Sequence, residues 1–170
     1  MNTIRKATPS DIPAIRKMAD VAFRHTYRDI LTPQQMEYMM EWMYSEASLH
    51  EQIETLGHQY FILSIEGNDA GYVSFNIEKE DDNRILFHLQ KIYLLPELQG
   101  RGFGALLLKH AEACMKARGG AEAVRYELNV NRNNRAVAFY EHMGLYKDRE
   151  GDFPIGGGFF MNDYIMAKEL

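Results

Sequence analysis

Three glycines alternate at Gly100, Gly102 and Gly104, between two apolar runs of different period. The run before them, Ile85 to Leu94, reads as a strand. The run after them, Phe103, Leu106, Leu107, Leu108, Ala111 and Met115, has helical spacing. Glycine lets a backbone turn its N–H groups inward with no Cβ in the way. A helix that starts there adds unpaired N–H groups and a partial positive charge. Strand, glycine turn and helix N-terminus together make a seat for phosphate oxygens. The chemistry this stretch points to is therefore binding of a nucleotide or of a cofactor with a pyrophosphate.

Three glycine-rich phosphate loops compete. The P-loop ends in Gly-Lys-Ser/Thr, whereas this chain continues Gly104-Ala105-Leu106 and lacks both lysine and hydroxyl. The dinucleotide fingerprint G-x-G-x-x-G/A matches Gly100, Gly102 and Ala105 in letters. Its turn should follow the strand at once and find an acidic residue about 20 residues on. Here Pro96-Glu97-Leu98-Gln99 intervenes, and Gly119-Gly120 stands where the acid is due. The third pattern, Gln/Arg-x-x-Gly-x-Gly/Ala, fits as Gln99, Gly102 and Gly104. In this loop the chain resembles the GNAT superfamily of N-acetyltransferases, which bind acetyl-CoA.

A second stretch strengthens the resemblance. Asn133, Ala136, Phe139 and Tyr140, followed by Gly144-Leu145, are similar to the family's Asn-x-x-Ala-x-x-Phe-Tyr and Gly-Phe, with Leu145 in place of the final aromatic. One helix and one strand separate the two motifs, as in the family. The resemblance spans nearly the whole chain and is strongest from Ile92 to Leu145. It implies that the strand end Ile92, Tyr93 and Leu94 pairs with the pantetheine arm, beside a neighbouring strand that splays away. It also implies that the pyrophosphate rests on N–H groups of Gln99, Gly100, Arg101, Gly102, Phe103, Gly104 and Ala105, with Asn133 both capping its helix and touching the cofactor. Charge-assisted hydrogen bonds of roughly 1.5–3 kcal/mol each reach the ~8 kcal/mol of micromolar binding without a lysine.

Acetyl transfer to an amine needs a proton for the leaving thiolate and a base for the ammonium. Thiols titrate near 8.5 and phenols near 10, so a neutral tyrosine can protonate the departing sulfur. Tyr140, in the second motif, is the expected general acid. For the base the sequence offers His88, whose range suits proton transfer, and Glu127 on the following strand. Strict alternation would put His88, Gln90 and Ile92 on one face. The arrangement Phe23-Arg24-His25-Thr26-Tyr27 and the ending Asn162 to Lys168 look similar to bacterial members that acetylate polyamines. The leading expectation is an acetyl-CoA-dependent N-acetyltransferase acting on a small amine or a peptide amine. The alternative is a non-catalytic acyl-CoA sensor of the same fold, and a dinucleotide enzyme is the third reading.

Composition narrows the field further. The 170 residues, 46% apolar and 25% charged, suit one domain, residues 1–170, with a sizeable core. A net charge of −5 argues against nucleic acid, so positive charge for an anionic ligand must be local, from Arg101, Arg132 and Arg135. One cysteine, Cys114, excludes an internal disulfide and fits a reducing cytoplasm. No apolar run suggests a signal peptide or a membrane span. His25, His50, His58, His110 and His142 share no metal-ligand spacing. The sequence leaves the oligomeric state open, a homodimer included.

The elements that must hold these groups follow from the pattern. Thr3 to Ala7 is a short strand, and Ile12, Ile15, Met18, Ala19 and Phe23 mark a helix. Thr32-Pro33 starts a second helix, and Ser48 to Leu56 a third. Strands are expected at Gln59–Ile65, Ala70–Ile77, Ile85–Leu94, Val124–Val130, Leu145–Arg149 and Phe159–Lys168. Charged Glu78 to Asn83 reads as a turn and Gly151 to Gly158 as a loop. Helices are expected from Gly102 to Arg118 and from Arg135 to Met143, the latter capped by Asn131 to Asn134. The fold class is α+β, with a GNAT-like mixed, mostly antiparallel central sheet and helices on both faces.

Overall fold

The computed structural model describes residues 1–170. Seven strands form one sheet: β1 (Asn2–Lys6), β2 (Gln59–Ile65), β3 (Asn68–Glu80), β4 (Arg84–Leu94), β5 (Ala123–Asn131), β6 (Tyr146–Gly156) and β7 (Phe159–Glu169). Their spatial order is β1-β2-β3-β4-β5-β7-β6. Every neighbouring pair is antiparallel except β4 and β5. Helices α1 (Ile12–Tyr27), α2 (Pro33–Tyr44) and α3 (Glu46–Glu54) come before β2, and α4 (Phe103–Gly119) and α5 (Ala136–His142) flank β5 in sequence.

Two apolar layers sandwich the sheet. On one face Leu107, Leu108, Ala111 and Met115 of α4 and Tyr140 of α5 pack on Phe87, Tyr126, Leu128 and Val130. On the other, Ile15, Met18 and Phe23 of α1, Met39 of α2 and Leu49 of α3 pack on Tyr60, Ile62 and Tyr72. Local chemistry fixes the helix starts on this second face. The Thr32 hydroxyl accepts from the Gln35 N–H at 3.2 Å and the Gln35 amide oxygen accepts from the Thr32 N–H at 2.9 Å, with Pro33 in the first turn.

The β4–β5 pair decides where a ligand can enter. Their parallel pairing runs from Arg84 opposite Ala123 to His88 opposite Glu127 and then stops, although β4 continues to Leu94 and β5 to Asn131. The strands splay beyond His88, so the β5-facing backbone of Ile92, Tyr93 and Leu94 has no strand partner.

A β-bulge changes the facing of β4 just before the splay. Ser74 pairs with Lys91 and Phe75 with Leu89, which leaves Gln90 as the extra residue. Ile85, Phe87 and Leu89 lie on the α4 face, and beyond the bulge Ile92 and Leu94 pack there as well. Lys91 and Tyr93 turn toward α1 to α3. The expected shared face of His88, Gln90 and Ile92 is therefore corrected, because one inserted residue inverts the alternation.

Two other expectations are corrected. Gly151 to Gly158 is not a loop: β6 extends to Gly156, and only the reversal at Gly156, Gly157 and Gly158 uses positive φ. β3 runs to Glu80, and the charged turn contracts around Asp81, whose Oδ1 accepts from the N–H groups of Asn83 and Arg84, both at 3.1 Å.

Candidate active site in the strand splay

The glycine turn leads straight into α4. Gly100 and Gly102 take φ of +75° and +86°, and a Cβ at either would point into open space. No N–H from Gly100 to Ala105 finds an acceptor within the protein; the first closed turn of α4 is the Leu106 N–H to the Gly102 oxygen at 3.2 Å. Orphan amides in sequence, at a helix N-terminus, give a concave anion seat. Phe139 of α5 closes one side of it, with its ring 3.4 Å from where a Gly104 Cβ would stand.

This turn forms one end of a cavity of 940 Å³ that continues through the splay. Gln99, Gly100, Gly102, Gly104 and Ala105 line that end, Ile92, Tyr93 and Leu94 one wall, and Asn133 and Tyr140 the opposite wall. Arg101 and Phe103 lie outside the lining, with the Arg101 guanidinium stacked 5.5 Å from the Phe103 ring. Of the cations expected to supply local charge, Arg135 lines the cavity, joined by Lys109, and neither has an ion-pair partner. Arg132 is held instead by Asp152 at 2.6 Å.

Tyr140 is 7% exposed and its hydroxyl has no hydrogen-bond partner in the protein. That oxygen is not among the sealed polar atoms, so it opens into the cavity. Burial pushes the phenol upward, which keeps its proton in place at neutral pH. Asn133 also opens into the cavity, but it does not cap α5. Asn134, just ahead of the Arg135 N-cap, holds the start of the helix instead: its Oδ1 accepts from the Ala136 N–H at 2.9 Å while its Nδ2 reaches the Tyr27 hydroxyl at 3.4 Å. Adjacent asparagines made the two roles hard to separate in sequence.

The two expected bases stand apart from this cavity. His88 is in the paired part of β4, with Nδ1 3.5 Å from Glu78 Oε2. Glu127 is opposite it on β5 and is 7% exposed. Its carboxylate bridges Arg149 and Arg125, each at 3.0 Å. Burial raises this carboxyl, and the hydrogen bonds from Arg149 and Arg125 more than offset that, leaving it below the usual range. Residues that motif reading passed over also line the cavity, Tyr93's neighbour Lys91 and Asn129 among them. A second hollow of 570 Å³ between α1 and α2 is charged and internally matched, with Arg24 between Asp20 and Glu37.

An open sheet with one splayed parallel pair, and a run of free amides beside the splay, defines a fold with a long cavity across its middle and an anion seat at one end. The profile of the Acetyltransferase (GNAT) family matches residues 21–145, and the chain belongs to that family. It is an acetyl-CoA-dependent acyltransferase, with acetyl-CoA as co-substrate. An uncharacterized N-acetyltransferase in the pepI 3' region of Lactobacillus delbrueckii subsp. lactis is 27% identical over 172 residues, covering 98% of this chain and 96% of the relative. The PaiA N-acetyltransferase of Thermoplasma acidophilum, crystallised with coenzyme A, superposes with a TM-score of 0.74 at 24% identity, covering 100% and 99% of the two chains. YncA of Salmonella typhimurium, solved with acetyl-CoA, gives 0.64 at 20% identity over 100% and 94%. No helix is long and apolar enough to cross a membrane.

Proposed function

We propose that this protein transfers an acetyl group from acetyl-CoA to the primary amine of a small molecule, such as a polyamine, or of a peptide, with Tyr140 as the general acid. One observation carries the reading: the acceptor-free amides of Gly100 to Ala105 and the unpartnered Tyr140 hydroxyl open into one continuous cavity. The amides fit a pyrophosphate, and Arg135 and Lys109 add the charge it calls for. The free backbone edge of Ile92, Tyr93 and Leu94 offers donors and acceptors to an amide-bearing arm. Bound acetyl-CoA supplies the acetyl group as an activated thioester. Tyr140 holds a proton at its phenolic oxygen for the thiolate as the sulfur departs.

His88 and Glu127 take no step in this proposal, because Glu78 and the two arginines engage them away from the cavity. The decisive experiment measures thiol release from acetyl-CoA with spermidine, putrescine and lysine-containing peptides, alongside calorimetric binding of acetyl-CoA. Amine-dependent thiol release supports transfer. Tight binding with no turnover on any amine would instead make the protein an acyl-CoA sensor.

A further inference from the structure

The cavity lacks an obvious group to receive a cationic amine. Its one lining carboxylate, Asp29, sits past the end of α1, 88% exposed and 3.7 Å from Arg28. Behind the lining, however, lies a carboxylate with no evident structural purpose. Asp163 on β7 is 5% exposed, and its Oδ1 is sealed from solvent with no hydrogen-bond partner. Its Oδ2 accepts one bond, from Asn129 Nδ2 at 3.3 Å. A buried carboxylate so poorly satisfied does not stabilise a fold.

Sheet register explains the contact. Asp163 pairs with Asn131 and Ile165 pairs with Asn129, so Asn129 and Asp163 are diagonal neighbours across β5 and β7. Both turn away from the face where Leu128 and Val130 meet α4, and Asp163 lies close enough to Tyr27 of α1 to act on it electrostatically. A carboxylate can only accept, so the Asn129 amide must present its NH₂ to Asp163. Its carbonyl oxygen is then turned the other way, and Asn129 is an exposed residue of the cavity wall. It stands two positions beyond Glu127, the last β5 residue paired with β4, and so at the mouth of the splay. Tyr140, on α5, lines the same cavity.

We propose that Asn129 receives the acceptor's primary amine, its Oδ1 accepting an N–H, and that Asp163 is the positioning residue that fixes this orientation. The substrate class is an alkylamine arriving from the α1 side of the sheet. Asp163 adds a negative charge behind the amide that favours a cationic acceptor over a neutral one. This rests on the acetyl-transfer reading above.

The test uses the full chain, acetyl-CoA and the best amine among spermidine, putrescine and a lysine-containing peptide. Asn129→Ala, Asp163→Asn and the double variant are compared with wild type. Each single change should raise the amine KM at least tenfold, with the acetyl-CoA Kd within twofold of wild type. The double variant should be no worse than the worse single one, since both remove the same presented oxygen. Asp163→Glu should recover part of the loss if it still holds the amide. An unchanged amine KM in Asn129→Ala overturns the proposal, and so do losses that multiply in the double variant. If Asp163→Asn fails to fold, exposed Asn129 alone still decides. A wild type that turns over no amine fails the acetyl-transfer reading and this one together; an active wild type with an indifferent Asn129→Ala fails only this one.

Discussion

Lys91 donates to Gln52 Oε1 at 2.9 Å inside the layer between the sheet and α3, with no carboxylate to balance its charge. Its other partners are the Tyr60 hydroxyl at 2.6 Å and the Met43 carbonyl at 3.2 Å, and it lies 4.3 Å from the centre of the Tyr44 ring. Burial pushes this ammonium down to about 7. The unfolded chain holds the proton to an ordinary lysine value, so it binds more protons than the folded chain from about pH 7 to about 10. Unfolding free energy should therefore rise with pH across that window and fall as pH drops toward 7. Urea midpoints at pH 7, 8 and 9 check this. Lys91→Met, of similar volume, should flatten the dependence, and a wild type already flat would count against it.

Tyr140→Phe should leave acetyl-CoA affinity within twofold and lower kcat by about 10²–10⁴, the usual contribution of a general acid. Calorimetry and thiol-release kinetics separate the two quantities. An unchanged kcat removes the assigned role.

Gly102→Ala should weaken acetyl-CoA binding by roughly tenfold. At φ +86° a side chain costs about 1–2 kcal/mol even though the space is open; the free turn relaxes to shed that strain, and binding must restore it, tenfold being about 1.4 kcal/mol. The effect belongs to the ligand seat, so Tm should fall by only a few degrees. Gly119→Ala is the contrasting control. A Cβ there would stand 2.2 Å from Val124 Cγ2, so stability should drop sharply. Calorimetry and thermal melts distinguish the two variants, and equal Tm losses would refute the distinction.

Glu127→Gln should cost about 1 kcal/mol at neutral pH, because Arg125 and Arg149 are partly exposed and both keep Asp148 as a partner. The folded carboxyl titrates below its unfolded value, so this contribution is present above the unfolded pKa. It is lost as pH falls through the folded one. His88→Ala should give a pH–rate profile superimposable on wild type, since His88 faces Glu78 rather than the cavity. A displaced acid limb in His88→Ala would return it to the proton path.

Much of the fold was legible because its signals are local. Helical spacing in Ile12 to Phe23, the capping pair Thr32 and Gln35, and the hairpin at Gly67 each act within a few residues. The glycine turn and the Asn133 to Tyr140 motif were equally plain. The facing of β4 was not, because the bulge at Gln90 depends on how β3 lies against it. The length of β6 was hidden by glycines that suggested a loop, until pairing with β7 supplied partners for their backbone. That Asn134 rather than Asn133 bonds the first turn of α5 was hidden because the two adjacent side chains are identical and differ only in where the chain places them.

By itself the sequence determined the glycine turn with its free amides and the placing of Tyr140 on α5. Positive φ at alternating glycines, and a tyrosine at fixed helical distance from an asparagine, are matters of backbone sterics and short-range period. Only the tertiary structure decided which side chains meet across the splay. Asn129 and Asp163 are separated by 34 residues, and they touch because β7 inserts between β5 and β6 in one particular register. Register is set by the sum of non-local packing on both faces, and no short stretch of the chain carries that sum.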